Sequence, residues 1–419
     1  MLVASVGLFT ACQSDDDIEQ VEKGKEETFV PMLFSEKVEK DNAFTFDLFR
    51  ATYANAKEEN LFISPLSVSL AFNMVLNGAS GETQTEILEV LRSKGYSVED
   101  VNEYSQSLCE DLIITINQDF TNDDTEFSIA NSIWTHNNWG PYPVKKDFIA
   151  INKKYYDAEV NEIDFDASDA LTRINGWCAE KTNNKIGKVL NRVEPEALMY
   201  IINAVYFKGN WSKPFWEELT RPDKFYQEDG KTTVVDMMRT TDYYRYFEDD
   251  YCQYLELPYK NYNFGMILML PREGKTTGDV VRDMNNDRWA LVHETFGNRF
   301  DYTNVYLELP RFKFECKYEM QNDILPDMGM KIPFDPDKAD FKGISDASLY
   351  ISRVIHNTFI EVNEEGTEAA ATTVIEFPVG DSGIEPPKPI DYIVNKPFLF
   401  AIREKTTGAI LFIGKVGEI

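Results

Sequence analysis

The sequence predicts an α+β fold, with helices packed on large, mostly antiparallel or mixed β-sheets. Helical periodicity is concentrated in the first half of the chain, whereas runs of β-branched and aromatic residues dominate the second half. Residues 397–416 form two apolar stretches around Lys405–Gly408, the pattern of a hairpin. Because no repeat, low-complexity block or internal linker divides residues 38–419, we treat them as a single domain.

The helices are predicted from apolar spacing and from capping residues. A stripe of apolar residues from Phe44 onward indicates the first helix. Ser64 followed by Pro65 supplies an N-cap with proline in the first turn, and the apolar residues that follow point all round, so this second helix is expected to be buried. Thr83 and Glu86 have the spacing of a capping box and predict the start of a third helix.

The strands are predicted from β-branched and aromatic runs that are bounded by Gly, Pro or Asn. Six such runs lie in the body of the chain, at residues 127–134, 200–207, 243–247, 254–257, 265–270 and 305–314. A further strand is expected at residues 359–362.

The charge balance limits the class of partner. The 419 residues include 42 Lys and Arg against 71 Asp and Glu, a net charge of −29. Nucleic acid and anionic lipid surfaces are polyanions and would be repelled, so neither is expected as a partner. A composition of 43% hydrophobic and 13% aromatic residues is typical of a folded globular protein rather than a disordered chain.

The first residues have the pattern of an export signal. Residues 1–11 form an apolar run that is far shorter than the roughly 20 residues needed to span a bilayer. Ala11 directly before Cys12 resembles the lipobox of bacterial lipoproteins, which implies a signal peptide over residues 1–11 and a diacylated Cys12. The alternative is an ordinary signal peptide followed by a solvated tail.

Residues 12–37 are polar and acidic, and we interpret them as a tether. The tract at residues 13–17 resembles the signal that sends lipoproteins to the outer face of the cell in one Gram-negative lineage. The resemblance implies an outer-membrane lipoprotein, exposed at the cell surface or to the extracellular space. Contact with the membrane is then expected only through the lipid anchor.

The four remaining cysteines do not indicate a metal site or a redox motif. None forms a CxxC pair, and none has a histidine at metal-ligand spacing. The expected state is four buried thiols, with a disulfide left open as the alternative. The four are Cys109, Cys178, Cys252 and Cys316.

The sequence does not favour an enzyme. It contains no GxSxG elbow, HExxH motif, P-loop or GxGxxG turn. The three histidines, His136, His293 and His356, lie far apart without a local partner motif. We therefore expect no catalytic residues, no cofactor and no metal ion.

The most informative segment follows the strand at residues 359–362. About thirty residues separate this strand from the C-terminal hairpin, and a connection of that length without a predicted element usually indicates function or disorder. Alternate residues from Thr367 to Phe377 are all small or apolar, whereas Glu368 and Glu376 fall on the other face. The loop therefore has the pattern of a half-buried strand, and Gly366 is expected to supply a hinge.

These residues carry a resemblance to a known family. The stretch FIEVNEEGTEAAATT at residues 359–373 resembles the hinge of inhibitory serpins, which are suicide inhibitors of proteases. Further segments resemble serpins in the order of that family, at residues 60–88, 174–190, 202–215, 307–315, 339–345, 349–370 and 395–416. The resemblance implies the serpin fold and an exposed reactive loop that, once cut, inserts as a new strand in the central sheet.

The resemblance also implies roles for individual residues. The hinge would comprise Glu364, Gly366, Thr367, Ala369, Ala370 and Ala371. A polar cluster under the central strands, called the shutter, would comprise Ser64, Ser67, Asn203 and His356. The point where the loop enters the sheet, called the breach, would contain Trp211 and an ion pair between Glu364 and Arg311.

The reactive bond is assigned by counting the family's usual distance from Glu364. The count gives Gly380-Asp381, and a hinge one residue shorter gives Val379-Gly380. Either bond presents a small residue without Lys or Arg nearby, which favours elastase-like or subtilisin-like serine proteases as targets. Papain-like cysteine proteases are the alternative, because Val379 supplies an apolar residue before the cut.

Other properties follow from the same resemblance. The chain lacks the Lys and Arg cluster of the family's heparin-binding helix, so no glycosaminoglycan cofactor is expected, and we expect a monomer. A non-inhibitory serpin-fold binding protein or chaperone is the main alternative function, and a nutrient-binding surface lipoprotein is another. The small residues Ala369–Thr372 favour the inhibitor, since non-inhibitory relatives tend to have bulky, charged or proline residues there.

Overall fold

The computed structural model describes residues 32–117, 126–137, 142–194, 196–297, 302–367 and 388–419. Within these ranges the chain forms helices packed on two large sheets, so the predicted α+β class is confirmed. The helices are α1 Met32–Asn55, α2 Pro65–Leu76, α3 Gly81–Val90, α4 Val98–Asn117, α5 Lys146–Tyr156, α6 Ala170–Lys181, α7 Thr277–Asp283, α8 Asn286–Gly297 and α9 Ile324–Asp327.

The strands are β1 Leu61–Ile63, β2 Glu126–His136, β3 Glu159–Ile163, β4 Met199–Asn210, β5 Arg221–Tyr226, β6 Thr232–Glu248, β7 Cys252–Pro258, β8 Phe264–Pro271, β9 Thr303–Pro310, β10 Phe312–Glu319, β11 Arg353–Val362, β12 Gly366–Thr367, β13 Ile390–Ile393, β14 Phe398–Glu404 and β15 Ile410–Val416. The predicted C-terminal hairpin is formed by β14 and β15, which pair antiparallel.

The two sheets differ in the order and direction of their strands. The nine-stranded sheet has the order β1-β15-β14-β8-β7-β6-β9-β13, and β5 pairs with β6. The six-stranded sheet has the order β10-β11-β12-β4-β2-β3, with an additional pairing between β11 and β4. This sheet is mixed, since β11 runs parallel to β4 and β2 runs parallel to β3, whereas β10 and β12 are antiparallel to β11.

Helix α2 lies between the sheets and contacts β15 of one and β4 of the other. The amide N–H of Ser67 donates to Oγ of Ser64, and Pro65 occupies the first turn, as the sequence predicts. All twelve residues of the helix are buried, which agrees with its apolar character on every face. The N-terminus of α2 is therefore fixed against the core side of the six-stranded sheet.

The six-stranded sheet is covered on both faces. The main core packs on the face that points toward α2 and the nine-stranded sheet. On the opposite face, which we call the outer face, Tyr200, Ile202 and Ile355 pack with Ile174 and Trp177 of α6. Burial on both faces explains why β4 is apolar from Met199 to Phe207 except at Asn203.

Two predicted boundaries are wrong. Helix α3 begins at Gly81, so Thr83 and Glu86 are not its capping box. Oγ1 of Thr83 accepts a hydrogen bond from the amide of Asp340, and the carboxylate of Glu86 accepts hydrogen bonds from the amides of Lys331 and Ile332. Both side chains therefore make tertiary contacts instead of capping the helix. The predicted strand at residues 305–314 is split at Arg311 into β9 and β10, which belong to different sheets.

The beginning of the described chain is helical earlier than expected. Helix α1 starts at Met32, six residues before the expected domain boundary at Val38. Lys37 is buried, because its ammonium pairs with Asp41 and lies 5.0 Å from the ring centroid of Tyr104. The helix therefore packs on α4 from the end of the segment that the sequence assigns to the tether.

The cysteines of the described residues are free thiols. Cys178, Cys252 and Cys316 are buried, whereas Cys109 is only half-buried. Desolvation raises the pKa of Cys178 to about 12 and the pKa of Cys316 to about 11, so these thiols are inert at neutral pH. None of the helices in the described ranges combines the length and apolar character needed to cross a membrane.

Candidate functional site

The six-stranded sheet is closed along one part of the β11–β4 boundary and open at its end. Residues 353–358 of β11 pair directly with residues 200–205 of β4 in parallel register. Beyond this stretch, the two residues of β12 lie between the strands, where Thr367 faces both Val362 and Gly209, and Gly366 faces Asn210. Two of the predicted hinge residues, Gly366 and Thr367, are thus already part of the sheet.

A tight turn connects β11 to β12. The side-chain oxygen of Asn363 accepts from the amides of Glu365 and Gly366 at 3.0 and 3.2 Å. The amide of Asn363 in turn donates to the carbonyl of Gly366 at 3.0 Å. This local bonding is the usual way in which Asn stabilises a reversal, and it directs the chain back into the sheet.

Glu364 is held in this turn by charged and polar partners. The guanidinium of Arg311 donates from Nε at 2.9 and 2.8 Å to the two carboxylate oxygens, and the hydroxyl of Thr220 donates to the same carboxylate. Burial acts to raise the pKa of Glu364, but the bonds from Arg311 and Thr220 outweigh it and hold the pKa below its ordinary value. The structure therefore brings together the two residues that the resemblance pairs, with Thr220 as a partner that the sequence did not reveal.

Two aromatic rings support the entry point of the strand. Trp211 stacks on Tyr259 at a centroid distance of 4.8 Å, and its indole Nε1 donates to the carbonyl of Asn363 at 3.0 Å. The hydroxyl of Tyr259 lies 2.8 Å from Oγ1 of Thr367, which is only 2% exposed. Sequence reasoning missed Tyr259, since nothing in its local pattern distinguishes it from other strand aromatics.

Gly366 is required by close packing. A Cβ atom at this position would lie 2.1 Å from the carbonyl oxygen of Gly209 and 2.7 Å from Cα of Asn210. No side chain can be accommodated there without moving the backbone of β4. The structure thus gives a steric reason for glycine where the sequence suggested conformational freedom.

The predicted shutter residues form one buried network under the closed part of the boundary. The amide of Ser64 donates to Nε2 of His356 at 3.0 Å, so the ring proton lies on Nδ1, which donates to Oδ1 of Asn203 at 2.6 Å. The side-chain amide of Asn203 donates to the carbonyl oxygen of Ser67 at 3.0 Å and to Asn131, a residue that the sequence did not identify. Burial lowers the pKa of His356 to about 3, so the imidazole is neutral at physiological pH.

The network has a consequence for opening the sheet. His356 and Asn203 are direct cross-strand partners of β11 and β4, and they bond to each other. Any strand that entered between β11 and β4 at this level would separate the two side chains and break that bond. The cluster therefore closes the boundary through hydrogen bonds that would have to be replaced by the entering strand.

Several predicted residues lie outside the described residues. These are the lipidation site Cys12, the hinge residues Ala369, Ala370 and Ala371, and the reactive-bond residues Val379, Gly380 and Asp381.

One cluster in the described ranges has the composition of a metal site. His136, Asp164 and Asp166 place one ligand atom each within 4.8 Å of one another. However, Nδ1 of His136 accepts from the amide of Phe165 at 3.2 Å, and Nε2 lies 4.0 Å from Asp166. A metal at Nε2 would require the proton on Nδ1 and would break the hydrogen bond from Phe165, so we assign no metal to this cluster.

Comparisons with known proteins agree with the geometry. The model of the family described as Serpin (serine protease inhibitor) matches residues 39–419. An uncharacterized serpin-like protein of Methanosarcina acetivorans is 35% identical over 389 residues, which cover 90% of this chain and 86% of that protein. The leukocyte elastase inhibitor of Xenopus tropicalis is 34% identical over 383 residues, covering 89% of this chain and 96% of that protein.

A solved structure has the same fold as this chain. The crystal structure of a thermophilic serpin, tengpin, in the native state superposes with a TM-score of 0.80 at 32% identity, covering 92% of this chain and 94% of tengpin. The family match and these relatives extend over nearly all of the chain. The chain therefore belongs to the serpin family.

Proposed function

We propose that the protein is a suicide inhibitor of extracellular proteases, which traps its target as a covalent acyl-enzyme. The expected targets are elastase-like or subtilisin-like serine proteases, with papain-like cysteine proteases as the second class. After cleavage, the loop that follows Thr367 would insert as a new strand between β11 and β4.

The observation that carries this proposal is the two-residue strand β12. It lies between β11 and β4 and is antiparallel to both, whereas the strands that flank it pair directly with each other farther along. A continuation of β12 would form a ladder on each side of a fully hydrogen-bonded central strand. The elastase inhibitor among the relatives supports the same class of target.

The covalent step follows the chemistry of a serine protease. The protease serine attacks the carbonyl carbon of Gly380, the peptide bond to Asp381 breaks, and the new amine leaves with a proton from the protease histidine. An ester then joins the protease to the N-terminal part of the loop. Its hydrolysis needs the oxyanion donors and the base in place, so a protease distorted by displacement would remain acylated.

The reach of the loop fits such a displacement. The fourteen residues from Gly366 to Val379 would span about 45 Å as a strand, at roughly 3.3 Å per residue. This length is comparable to the diameter of a domain. Insertion would therefore carry an attached protease from one end of the six-stranded sheet toward the other.

The proposal is tested by mixing the protein with a pancreatic-type elastase. We expect a complex that survives boiling in denaturant, together with a released C-terminal fragment whose first residue locates the cut. Elastase with a chemically blocked active-site serine is the control and should form no complex. Quantitative cleavage of the loop without any stable complex would contradict the inhibitor and favour a non-inhibitory serpin.

We also propose that the protein is anchored at the cell surface through acylated Cys12. The support is the lipobox-like end of the apolar run and the acidic tract that follows it. Metabolic labelling with an alkyne fatty acid should mark the protein in its native host. The Cys12→Ser variant should lose the label, and retention of the label would contradict the anchor.

A further inference from the structure

The register of β12 determines where each later residue of the same strand would lie. Thr367 faces Val362 on one side and Gly209 on the other. Continued antiparallel pairing places Thr372 between Asn357 of β11 and Ala204 of β4. Asn357 and Ala204 already face each other in the closed part of the sheet. The two strands would thus only move apart, without sliding along each other.

The same register determines which face each residue would occupy. Thr367 points to the core side, where its hydroxyl meets Tyr259. Because side chains alternate along a strand, residues 369, 371, 373 and 375 would share the core side. Residues 368, 370, 372, 374 and 376 would then point to the outer face, where Ala204 and Ile355 pack with α6.

The closed sheet contains an unsatisfied polar group at the position that Thr372 would reach after insertion. Asn357 is fully buried, and neither Nδ2 nor Oδ1 of its amide has a hydrogen-bond partner. Its cross-strand partner on β4 is Ala204, which offers no polar side-chain atom. A threonine hydroxyl placed between the two could both donate and accept, so insertion would relieve the cost of a buried, unpaired amide.

In this register each of the two glutamates of the segment would also have a cation on a neighbouring strand. Glu376 would lie beside Arg353, whose Nε is buried without a partner and whose remaining end pairs with Glu319. Glu368 would lie between Lys208 of β4 and Glu361 of β11, and Glu361 is already paired with Lys313 at 3.0 Å. Opposite charges on neighbouring strands stabilise a sheet.

We propose that Lys208, Asn357 and Arg353 form an outer-face receptor set that holds segment 368–376 in this one register after cleavage. The proposal rests on the proposed function, because it assumes that the segment inserts. A slip of one residue would turn both glutamates toward the core. A slip of two residues would place Glu376 beside Ile355 or Ile351 and would leave Asn357 beside Ala370 or Val374.

Engineered disulfides test the register directly. In the double variant Asn357→Cys with Thr372→Cys, the loop is cut with elastase, the protein is oxidised, and the linked peptide is detected by mass spectrometry. We expect this bond to form about ten-fold faster in the nicked than in the intact protein, because cross-strand neighbours have the Cβ separation that a disulfide needs. The single Asn357→Cys variant controls for the native thiols.

Two further double-cysteine variants distinguish the proposed register from the other possible registers. Asn357→Cys with Thr373→Cys would place the sulfurs on opposite faces, and Asn357→Cys with Val374→Cys corresponds to a slip of two residues. Neither should link in the nicked protein. Preferential linking in either pair, or failure of the Asn357 and Thr372 pair to link, would overturn the proposed register.

A charge exchange gives a second measurement. Arg353→Glu or Glu376→Arg alone should reduce the rise in Tm that nicking produces, and the double variant should restore it. Combining Arg353→Glu with Glu368→Arg should restore nothing. If nicking the parent protein produces no rise in Tm, the proposed function itself fails. If the parent shows the rise but the exchange does not rescue it, only the receptor set is wrong.

Discussion

His356 makes the closed sheet sensitive to acid. Burial lowers the pKa of its imidazole to about 3, whereas an unfolded histidine titrates near 6.5. Above pH 6.5 the group is neutral in both states, and its contribution to stability is fully present. As the pH falls below 6.5 the unfolded state takes up a proton that the folded state does not, so stability decreases by up to about 1.4 kcal/mol per pH unit until the pH approaches 3.

The dependence is measured from urea midpoints of the intact protein at pH 7.5, 6.5 and 5.5. We expect the parent midpoint to fall over the acidic interval and His356→Gln to show a shallower slope. Burial and Arg403 also lower the pKa of His293, which adds a slope of the same sign in both proteins. Equal slopes for the parent and the variant would exclude His356 as a source.

Tyr259 stabilises a contact that exists before any cleavage. Tyr259→Phe would leave the buried hydroxyl of Thr367 without its partner, at a cost of about 1 to 3 kcal/mol. Because Thr367 already lies between β11 and β4, we expect the Tm of the intact and nicked forms to fall by similar amounts. Tyr262→Phe, at a side chain that is 60% exposed, is the control. A loss confined to the nicked form would mean that Thr367 enters the sheet only after cleavage.

At the scale of elements, β12 depends on the absence of a side chain at Gly366. Gly366→Ala would force a Cβ against the backbone of Gly209 and Asn210, so we expect β12 to leave the sheet or β4 to shift. The intact protein should lose about 1 to 3 kcal/mol of stability, as overpacked sites do. Gly187→Ala is the matched control, since a Cβ there meets nothing within 4 Å.

Denaturation midpoints of the two alanine variants measure the effect. Inhibition of elastase by Gly366→Ala should require more molecules of inhibitor per molecule of protease, because a displaced hinge begins insertion later. Equal midpoints for the two variants would show that the backbone of β4 moves to accommodate the new side chain without a loss of stability.

The two faces of the inserting segment should differ in their tolerance of charge. The proposed register would place Ala371 on the core side between the buried residues Thr358 and Val205, and Ala370 on the outer face beside the half-buried Phe359. Ala371→Glu would bury an unpaired carboxylate, so it should convert the inhibitor into a substrate. Ala370→Glu should retain most of the trapping, because Lys313 and Lys185 lie within 6 Å of the ring of Phe359.

The measurement is the yield of denaturant-resistant complex with elastase for each variant. Cleavage should remain fast for both, since neither change touches the residues beside the cut. Equal yields would show that the alternation along the strand does not govern insertion.

Local sequence patterns predicted the helices and strands better than they predicted which elements contact each other. The cap of α2 at Ser64 and the strand that includes Phe359 follow from residues adjacent in sequence, and the structure contains both. The break at Arg311 was missed because the residues on either side have the same strand pattern, and only the pairing of β9 with β6 and of β10 with β11 separates them. Capping-box spacing at Thr83 was misleading because a tertiary contact uses the same hydroxyl.

The candidate site shows the same limit. Residues of the hinge and shutter were found from a sequence resemblance, and the structure brings Ser64, Asn203 and His356 together. The role of Tyr259 and the unsatisfied amide of Asn357 depend on contacts between segments far apart in the chain. The spacing of residues along the sequence does not predict such contacts, and it does not predict how many hinge residues already lie in the sheet.

At the scale of the whole molecule, the proposed function requires that a third strand between β11 and β4 makes the fold more stable than their direct pairing does. The parallel pairing of residues 353–358 with 200–205 would be replaced by an antiparallel ladder on each side of the inserted segment. Each new hydrogen bond contributes roughly 1 kcal/mol, and the pairing lost is much shorter than the pairing gained. Apolar packing would add to this gain, since Val374 would pack against Ile355 and Ile202 on the outer face.

Nicking the loop should therefore raise the thermal midpoint. We expect an increase on the order of 10 to 20 °C, if about ten net hydrogen bonds at roughly 1 kcal/mol each act on a domain of this size. The measurement is calorimetry or circular dichroism on the intact protein and on the same preparation after limited proteolysis and removal of the protease. A variant with Ala371→Glu provides the control, because it can be nicked but should not gain the strand. Coincident melting curves for the intact and nicked parent would mean that the sheet remains closed after cleavage, and the protein would then be a serpin fold that does not trap proteases.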